Sequence, residues 1–199
     1  MKTKLFDNYY FEIIDNADLY FDYVSIHRSQ NFELDINYWP SQFYSTEEQS
    51  KLELLQLKCE NRFTLRIFVY ENNQIIGWCH GFQIENDTFY MTNSAINEPF
   101  RNKGIYSQLL KQVIEILREK GFQKITSRHK SNNNQVIIPK LKAGFVISSF
   151  EISEIFGILI QLTYFFNTTT KKVFDFRIGV KDSENEISKM LLDKVKEKI

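Results

Sequence analysis

Between residues 89 and 129 the chain reads as a strand, a basic turn carrying one glycine, a long amphipathic helix and a second strand. A strand–helix–strand unit of this length closes almost only as a right-handed crossover with the two strands parallel. The turn and helix start run Glu98-Pro-Phe-Arg-Asn-Lys-Gly-Ile-Tyr-Ser-Gln-Leu-Leu110. The helix after it places Ile105, Leu109, Val113 and Ile116 on one stripe, widened by Leu110, Ile114 and Leu117, with Gly121 as its C-terminal cap. Lys111, Glu115, Arg118 and Lys120 fall outside the stripe. The first turn of a helix has unpaired N–H groups and the positive end of the macrodipole, so the turn at Arg101 to Ser107 is a cradle for phosphate.

The elements around this unit follow from periodicity and turn chemistry. Residues 10–14 read as a first strand. Asn16 caps a helix with Leu19, Tyr20, Tyr23, Val24 and Ile26 on one side. Ser45 with Glu48 forms a capping box that opens a second helix with Leu52, Leu55 and Leu57, running to about Cys59. Strands at residues 65–70, 75–84 and 89–96, separated by Asn72-Asn73 and Glu85-Asn86-Asp87, make an antiparallel meander. Residues 122–129 form a strand and 132–143 a short helix that Pro139 limits or kinks. Residues 145–155 and 158–166 form a hairpin about Gly157. Residues 173–178 alternate like a further strand. Ser183 with Glu186 opens a final helix with Ile187, Leu191 and Val195.

Charge balance limits the partners. Twenty-five basic and 25 acidic side chains cancel, so nothing global points to nucleic acid or an anionic membrane surface. Cys59 and Cys79 have neither metal-ligand nor redox spacing and read as free buried thiols; no metal is expected. The N-terminus lacks the apolar core of a secretory signal. The most apolar stretch, residues 156–166, is interrupted by Gln161 and Thr163 and falls short of the ~20 residues of a membrane span. A cytoplasmic protein is expected. The many Phe and Tyr residues build either an aromatic core or an aromatic-lined pocket.

The element order, with the turn Arg101-Asn102-Lys103-Gly104-Ile105-Tyr106, resembles the GNAT superfamily of acyl-CoA-dependent N-acyltransferases, whose signature is Gln/Arg-x-x-Gly-x-Gly/Ala. A second block, Asn132-Asn133-Asn134 through Gly144-Phe145, is similar to the family's Asn-x5-Tyr-x3-Gly-Phe block. The resemblance covers most of residues 10–167 and is specific between about 95 and 145. It implies an α/β fold of the α+β kind: a mixed, mostly antiparallel sheet of about seven strands flanked by helices. The implied activity is transfer of an acetyl group from acetyl-CoA to a primary amine by direct attack in a ternary complex. The implied cofactor-binding residues are Ala95, Ile96 and Asn97 at the strand end, Arg101, Asn102, Lys103, Gly104, Ile105, Tyr106 and Ser107 in the turn, and Asn134 beside the pantetheine arm. Tyr106 departs from the signature's small residue. It either turns aside or packs on the cofactor. Lys140 stands where the family often has a tyrosine that protonates the leaving thiolate. A lysine ammonium could donate a proton, and the plainer reading is a solvated helix lysine.

The base is less legible. No carboxylate lies between Thr88 and Asn97, where the family often has one. Tyr90 falls near that position, although a pKa of ~10 makes it a poor base. His129 closes the strand beside which the resemblance places the thioester, and a pKa of ~6.5 suits a base. His129 and Tyr90 are therefore the candidate catalytic residues. Glu98, Glu151 and Glu154 read as surface charges and His80 as a core histidine. In the family the acceptor pocket is built from the loop between the first two helices and from the later hairpin; here those segments supply Tyr38, Trp39, Phe43 and Tyr44, then Phe150, Phe156 and Tyr164. The expected acceptor is a small-molecule or peptide amine. Residues 1–167 form the acetyltransferase-like domain. Residues 168–199 form a strand and amphipathic helix packed on it or on a partner subunit, with a homodimer as a candidate assembly. The alternative functional readings are a non-catalytic acyl-CoA-binding module and an interaction domain.

Overall fold

The computed structural model describes residues 1–32, 40–57, 61–180 and Lys189. Two compact units divide the chain, Met1–Tyr164 and Phe165–Ile199. In the first, β1 (Thr3–Phe6) and β2 (Tyr9–Ile13) form a hairpin, followed by α1 (Ala17–His27) and α2 (Thr46–Leu57). The meander is β3 (Thr64–Glu71), β4 (Gln74–Gln83) and β5 (Thr88–Ile96). Then come α3 (Ile105–Glu119), β6 (Lys124–Lys130), α4 (Asn134–Lys142), β7 (Val146–Ser153) and β8 (Gly157–Phe165). The strands form one sheet in the order β1-β2-β3-β4-β5-β6-β8-β7. Four pairings are antiparallel from β1 to β5, and β5 pairs parallel with β6 across the α3 crossover.

The local signals act as chemistry dictates. Asn16 accepts from the Leu19 amide at 3.0 Å and starts α1. Ser45 and Glu48 bond reciprocally, Glu48 Oε2 accepting from the Ser45 amide at 2.8 Å. The α3 stripe is buried: Ile105, Leu109, Leu110, Val113, Ile114 and Leu117 are each no more than 6% exposed. Burying such side chains is worth ~1.5–3 kcal/mol each, which makes this helix a main anchor of the sheet. On the other face, Tyr20 of α1 stacks on Phe68 with ring centroids 5.1 Å apart, within a cluster that includes Trp78 and Ala95.

Several expectations change. β1 is an additional strand; its hairpin turns at Asp7, at φ 42°. Leu19 and Ile26 of α1 are exposed, so the inward side is the aromatic one centred on Tyr20. Leu52, Leu55 and Leu57 of α2 are also exposed. Pro139 sits inside α4 without ending it. In the second unit, the expected strand at residues 173–178 is instead helical: α5 spans Thr168–Arg177. Asn167 caps α5, accepting from the Thr170 amide at 3.0 Å, and Lys171 pairs with Asp175 at 2.6 Å one turn on. Alternation over six residues could not outweigh a cap and an i,i+4 ion pair. The expected final helix from Ser183, Cys59, and Tyr38 and Trp39 lie outside the described residues. Among the described residues no helix is long and apolar enough to cross a membrane.

Candidate active site

The site begins at an irregularity in β5. His80 pairs with Asn93, but the next residue, Gly81, pairs with Met91, so Thr92 bulges out. A bulge bends its strand and breaks pairing. The parallel ladder to β6 ends here too: its registered pairs are Thr88 with Lys124, Phe89 with Ile125 and Tyr90 with Thr126. Beyond Tyr90 and Thr126 the two central strands part, leaving a wedge between them. Gly81 permits the bend, since a Cβ there would lie 2.4 Å from the Tyr90 carbonyl oxygen.

At the open end of β5 the chain makes a 3₁₀ turn at Glu98–Phe100 and enters the basic turn. Asn102 and Gly104 both take left-handed conformations, at φ 61° and 78°. Left-handed residues in a turn of this kind favour amides that converge on an anion. Among the described residues, none of the amides from Asn102 to Ser107 donates to a protein acceptor. A Cβ on Gly104 would meet nothing within 4 Å, so the cradle is open to a ligand at that point. Open amides at a helix N-terminus fit a phosphate group, and the Lys103 ammonium, 5.2 Å from the Phe100 ring centre, adds positive charge to the turn. Asn134, exposed at the start of α4, stands at the end of the neighbouring strand's connection.

Two expected cofactor residues face elsewhere through their side chains. Arg101 donates from Nε to the Ile96 carbonyl at 2.9 Å and from an Nη to Asn31 Oδ1 at 2.9 Å. Its guanidinium braces the turn against the scaffold through Nε and one Nη. Tyr106 turns inward, with its hydroxyl 3.4 Å from Ser94 Oγ. Burial pushes that phenol's pKa up, so it stays neutral. Tyr106 thus replaces the small residue of the signature by turning aside.

The two candidate catalytic residues are not together. Tyr90 is registered with Thr126, and the Arg128 guanidinium, two residues on, lies 5.6 Å from the Tyr90 ring. Period-two alternation then puts Ser127 and His129 on the opposite face of the sheet. Burial raises the Tyr90 pKa above the ordinary phenol value. His129 Nε2 is 3.0 Å from Ser127 Oγ, and burial, aided by the nearby Lys140 charge, lowers the imidazole to about 3.

Lys140 is the largest departure from the sequence reading. It is fully buried, not solvated. Its Nζ bridges the head of the wedge, 2.6 Å from Ser127 Oγ and 3.7 Å from Met91 Sδ, and lies 5.1 Å from the Phe145 ring centre. Burial lowers the ammonium's pKa to about 7, an effect that the Cys79 thiol partly offsets. One signal in the sequence could have shown this: Lys140 follows buried Ile137 by three residues and so shares its helix face. Ser127 was passed over because a lone strand serine carries no pattern. Glu151 pairs with Arg128 at 3.1 Å, and His80 sits among Tyr20, Phe21 and Phe82 as a core histidine, held near 4 by burial. Of the acceptor-pocket aromatics that are described, Phe43 and Phe150 are the most exposed, at 71% and 74%.

Comparison with known proteins places this geometry. The profile of the acetyltransferase (GNAT) family matches residues 28–145. A search of curated proteins gives no significant match. Among solved structures, ribosomal-protein-S5-alanine acetyltransferase from Vibrio fischeri superposes with a TM-score of 0.59 at 16% identity, over 83% of this chain and 96% of that one. A GNAT family acetyltransferase from Elizabethkingia anophelis with acetyl-CoA bound gives 0.54 at 18% identity, over 80% and 99%. An acetyltransferase of the GNAT family from Streptococcus pneumoniae gives 0.56 at 16% identity, over 80% and 99%. These likenesses share the fold, and the profile covers more than half of the sequence: the chain belongs to the GNAT acetyltransferase family.

Proposed function

We propose that this acetyltransferase transfers the acetyl group of acetyl-CoA to a primary amine by direct attack within a ternary complex. Membership of the family makes it an acetyl-CoA-dependent acyltransferase. The observation that carries the reading is the open amide cradle from Asn102 to Ser107 at the mouth of the β5–β6 wedge. The main chain at Arg101, Asn102, Lys103, Gly104, Ile105, Tyr106 and Ser107 would hold the pyrophosphate. Ala95, Ile96, Asn97 and Asn134 would line the pantetheine arm. The thioester supplies an activated acyl carbon, and the chain supplies position and proton handling. The incoming amine must shed a proton to be a nucleophile. His129, part-buried on β6, is the group on this face that would receive it. Direct attack is favoured because Cys79, the one cysteine described, is buried, and burial pushes its thiol up to about 12.

Isothermal titration with acetyl-CoA tests the cradle, and thiol release over a panel of small and peptide amines tests transfer. The reading expects micromolar binding and coenzyme A release above background with at least one amine. Binding without release for any amine would make the protein an acyl-CoA-binding module. No binding by the folded protein would remove the cradle as the cofactor site.

A further inference from the structure

A buried lysine with no acid beside it requires a reason. Among the described residues no carboxylate pairs with Lys140, and its polar partners are the Ser127 hydroxyl and a thioether. The titratable groups that face it are the Cys79 thiol from β4 and the His129 imidazole from β6; β5 contributes Met91 and the chain after α4 contributes Phe145. Leaving an ammonium in such a place is costly, and an apolar residue of similar length would fill the volume at no such cost.

The three polar groups form one unbranched chain: Lys140 Nζ, 2.6 Å to Ser127 Oγ, then 3.0 Å to His129 Nε2. It runs from the buried head of the wedge to a part-buried imidazole whose other nitrogen, Nδ1, has no partner among the described residues. Hydrogen-bond direction along it is set by one proton. A charged Lys140 has only donors, so Ser127 must accept from it and donate its own proton to His129 Nε2. His129 Nδ1 then carries the ring proton. When Lys140 is neutral its lone pair can accept from Ser127, His129 Nε2–H donates to Ser127, and Nδ1 is left bare.

We propose that Lys140, Ser127 and His129 form a single proton-transfer chain in which His129 Nδ1 receives a proton and Lys140 Nζ holds it. This rests on the acetyltransferase reading for its substrate. The amine nitrogen bonds to the acetyl carbon and gives its proton to Nδ1; the Nε2 proton passes to Ser127 Oγ, and the Ser127 proton to Lys140. As the C–S bond breaks with its electron pair on sulfur, the chain runs in reverse and delivers one proton to that sulfur. Each element ends as it began, and the net change is one proton moved from nitrogen to sulfur. The arrangement resolves a conflict on this face of the sheet. Burial makes an imidazolium at His129 unfavourable, yet His129 is the accessible member. Moving the charge to Lys140, held near 7, supplies a basicity matched to neutral pH that the imidazole alone lacks.

Two measurements on the full chain decide this. Long-range ¹H–¹⁵N correlation spectra of the imidazole should show His129 neutral throughout and switching from the Nδ1–H to the Nε2–H tautomer with a midpoint near pH 7. The switch should vanish in Lys140→Met. This readout needs no activity, so it stands even if the acetyltransferase reading falls. The pH–rate profile of thiol release should show an acidic limb near 7 that is lost, with kcat down about a hundredfold, in both Lys140→Met and Ser127→Ala, while acetyl-CoA affinity stays within about threefold. Ser127→Ala retains the lysine, so loss of the limb there separates a chain from a lysine acting alone. An imidazole that itself charges near pH 6.5, a fixed tautomer in the wild-type protein, or an unchanged limb in Ser127→Ala would overturn the proposal.

Discussion

Arg101 reaches across 70 residues of sequence to place its guanidinium 2.9 Å from Asn31 Oδ1, while Asn31 Nδ2 donates to Asn97 Oδ1 at 3.1 Å. The signature arginine is thereby the keystone between the end of β5, the phosphate turn and the chain just after α1. Its charge is spent on the scaffold, so its removal should act first on stability. Charge-assisted bonds of this kind are worth ~1.5–3 kcal/mol each. Arg101→Ala should lower unfolding free energy by about 2 kcal/mol, and a double-mutant cycle with Asn31→Ala should show coupling of about 1 kcal/mol, read by urea denaturation. If the side chain instead bound phosphate, Arg101→Ala would leave stability intact, weaken acetyl-CoA binding and flatten its dependence on salt.

Gly104 separates cofactor from fold in the opposite way. Its φ of 78° disfavours any side chain, at ~1–2 kcal/mol, but its Cβ direction is empty. Gly104→Ala should therefore fold with a modest drop in melting temperature. Gly104→Glu places a carboxylate where the cradle amides converge and should abolish acetyl-CoA binding in isothermal titration. If Gly104→Glu binds as tightly as the native chain, the turn is not the cofactor site.

Gly81 is a fold position with a site consequence. A methyl group there would lie 2.4 Å from both the Tyr90 carbonyl oxygen and the Phe89 ring. Relief requires β4 and β5 to part beside the bulge that opens the wedge. Gly81→Ala should cost about 2–3 kcal/mol in urea denaturation and lower kcat more than it raises KM, because the reacting end of the wedge moves and the cradle at Gly104 does not. Unchanged stability would show that the sheet absorbs the contact elsewhere.

The sequence carried most of this fold because its strongest signals are local. The α3 stripe, the Asn16 cap and the Ser45–Glu48 box each involve residues within a few turns of one another, and each forms as read. What escaped depends on pairing at a distance. β1 has no face of its own to bury and exists through β2. The leucines of α2 have helical spacing, yet spacing does not say whether anything covers them. In the site, Gly104 was legible because a backbone need writes itself as glycine. Lys140 was not, because residue type argues for solvent while the fold closes α4 over the wedge. For His129 the ordinary imidazole pKa expected from the sequence does not hold, since burial and a lysine 11 residues away in sequence lower it.

That lysine also leaves a mark on stability. Its folded pKa is lowered to about 7 from 10.5. The unfolded chain binds the proton more tightly across that interval, so wild-type stability should climb as pH rises from about 7 towards 10.5, with a slope of at most ~1.4 kcal/mol per pH unit. Below about pH 7 both states are charged and the full burial penalty is present; above 10.5 neither is charged and the penalty is gone. Lys140→Met keeps a long unbranched side chain without the amine. The variant should be the more stable protein at pH 7, and its advantage should shrink progressively at pH 8.5 and pH 10. Other groups, such as the tyrosines, titrate in both proteins, so the difference between the two curves isolates Lys140. Urea denaturation at the three values reads it directly. A constant difference across the range would mean that Lys140 does not change its charge there, and with it would go the lysine's capacity to hold a proton for the reaction.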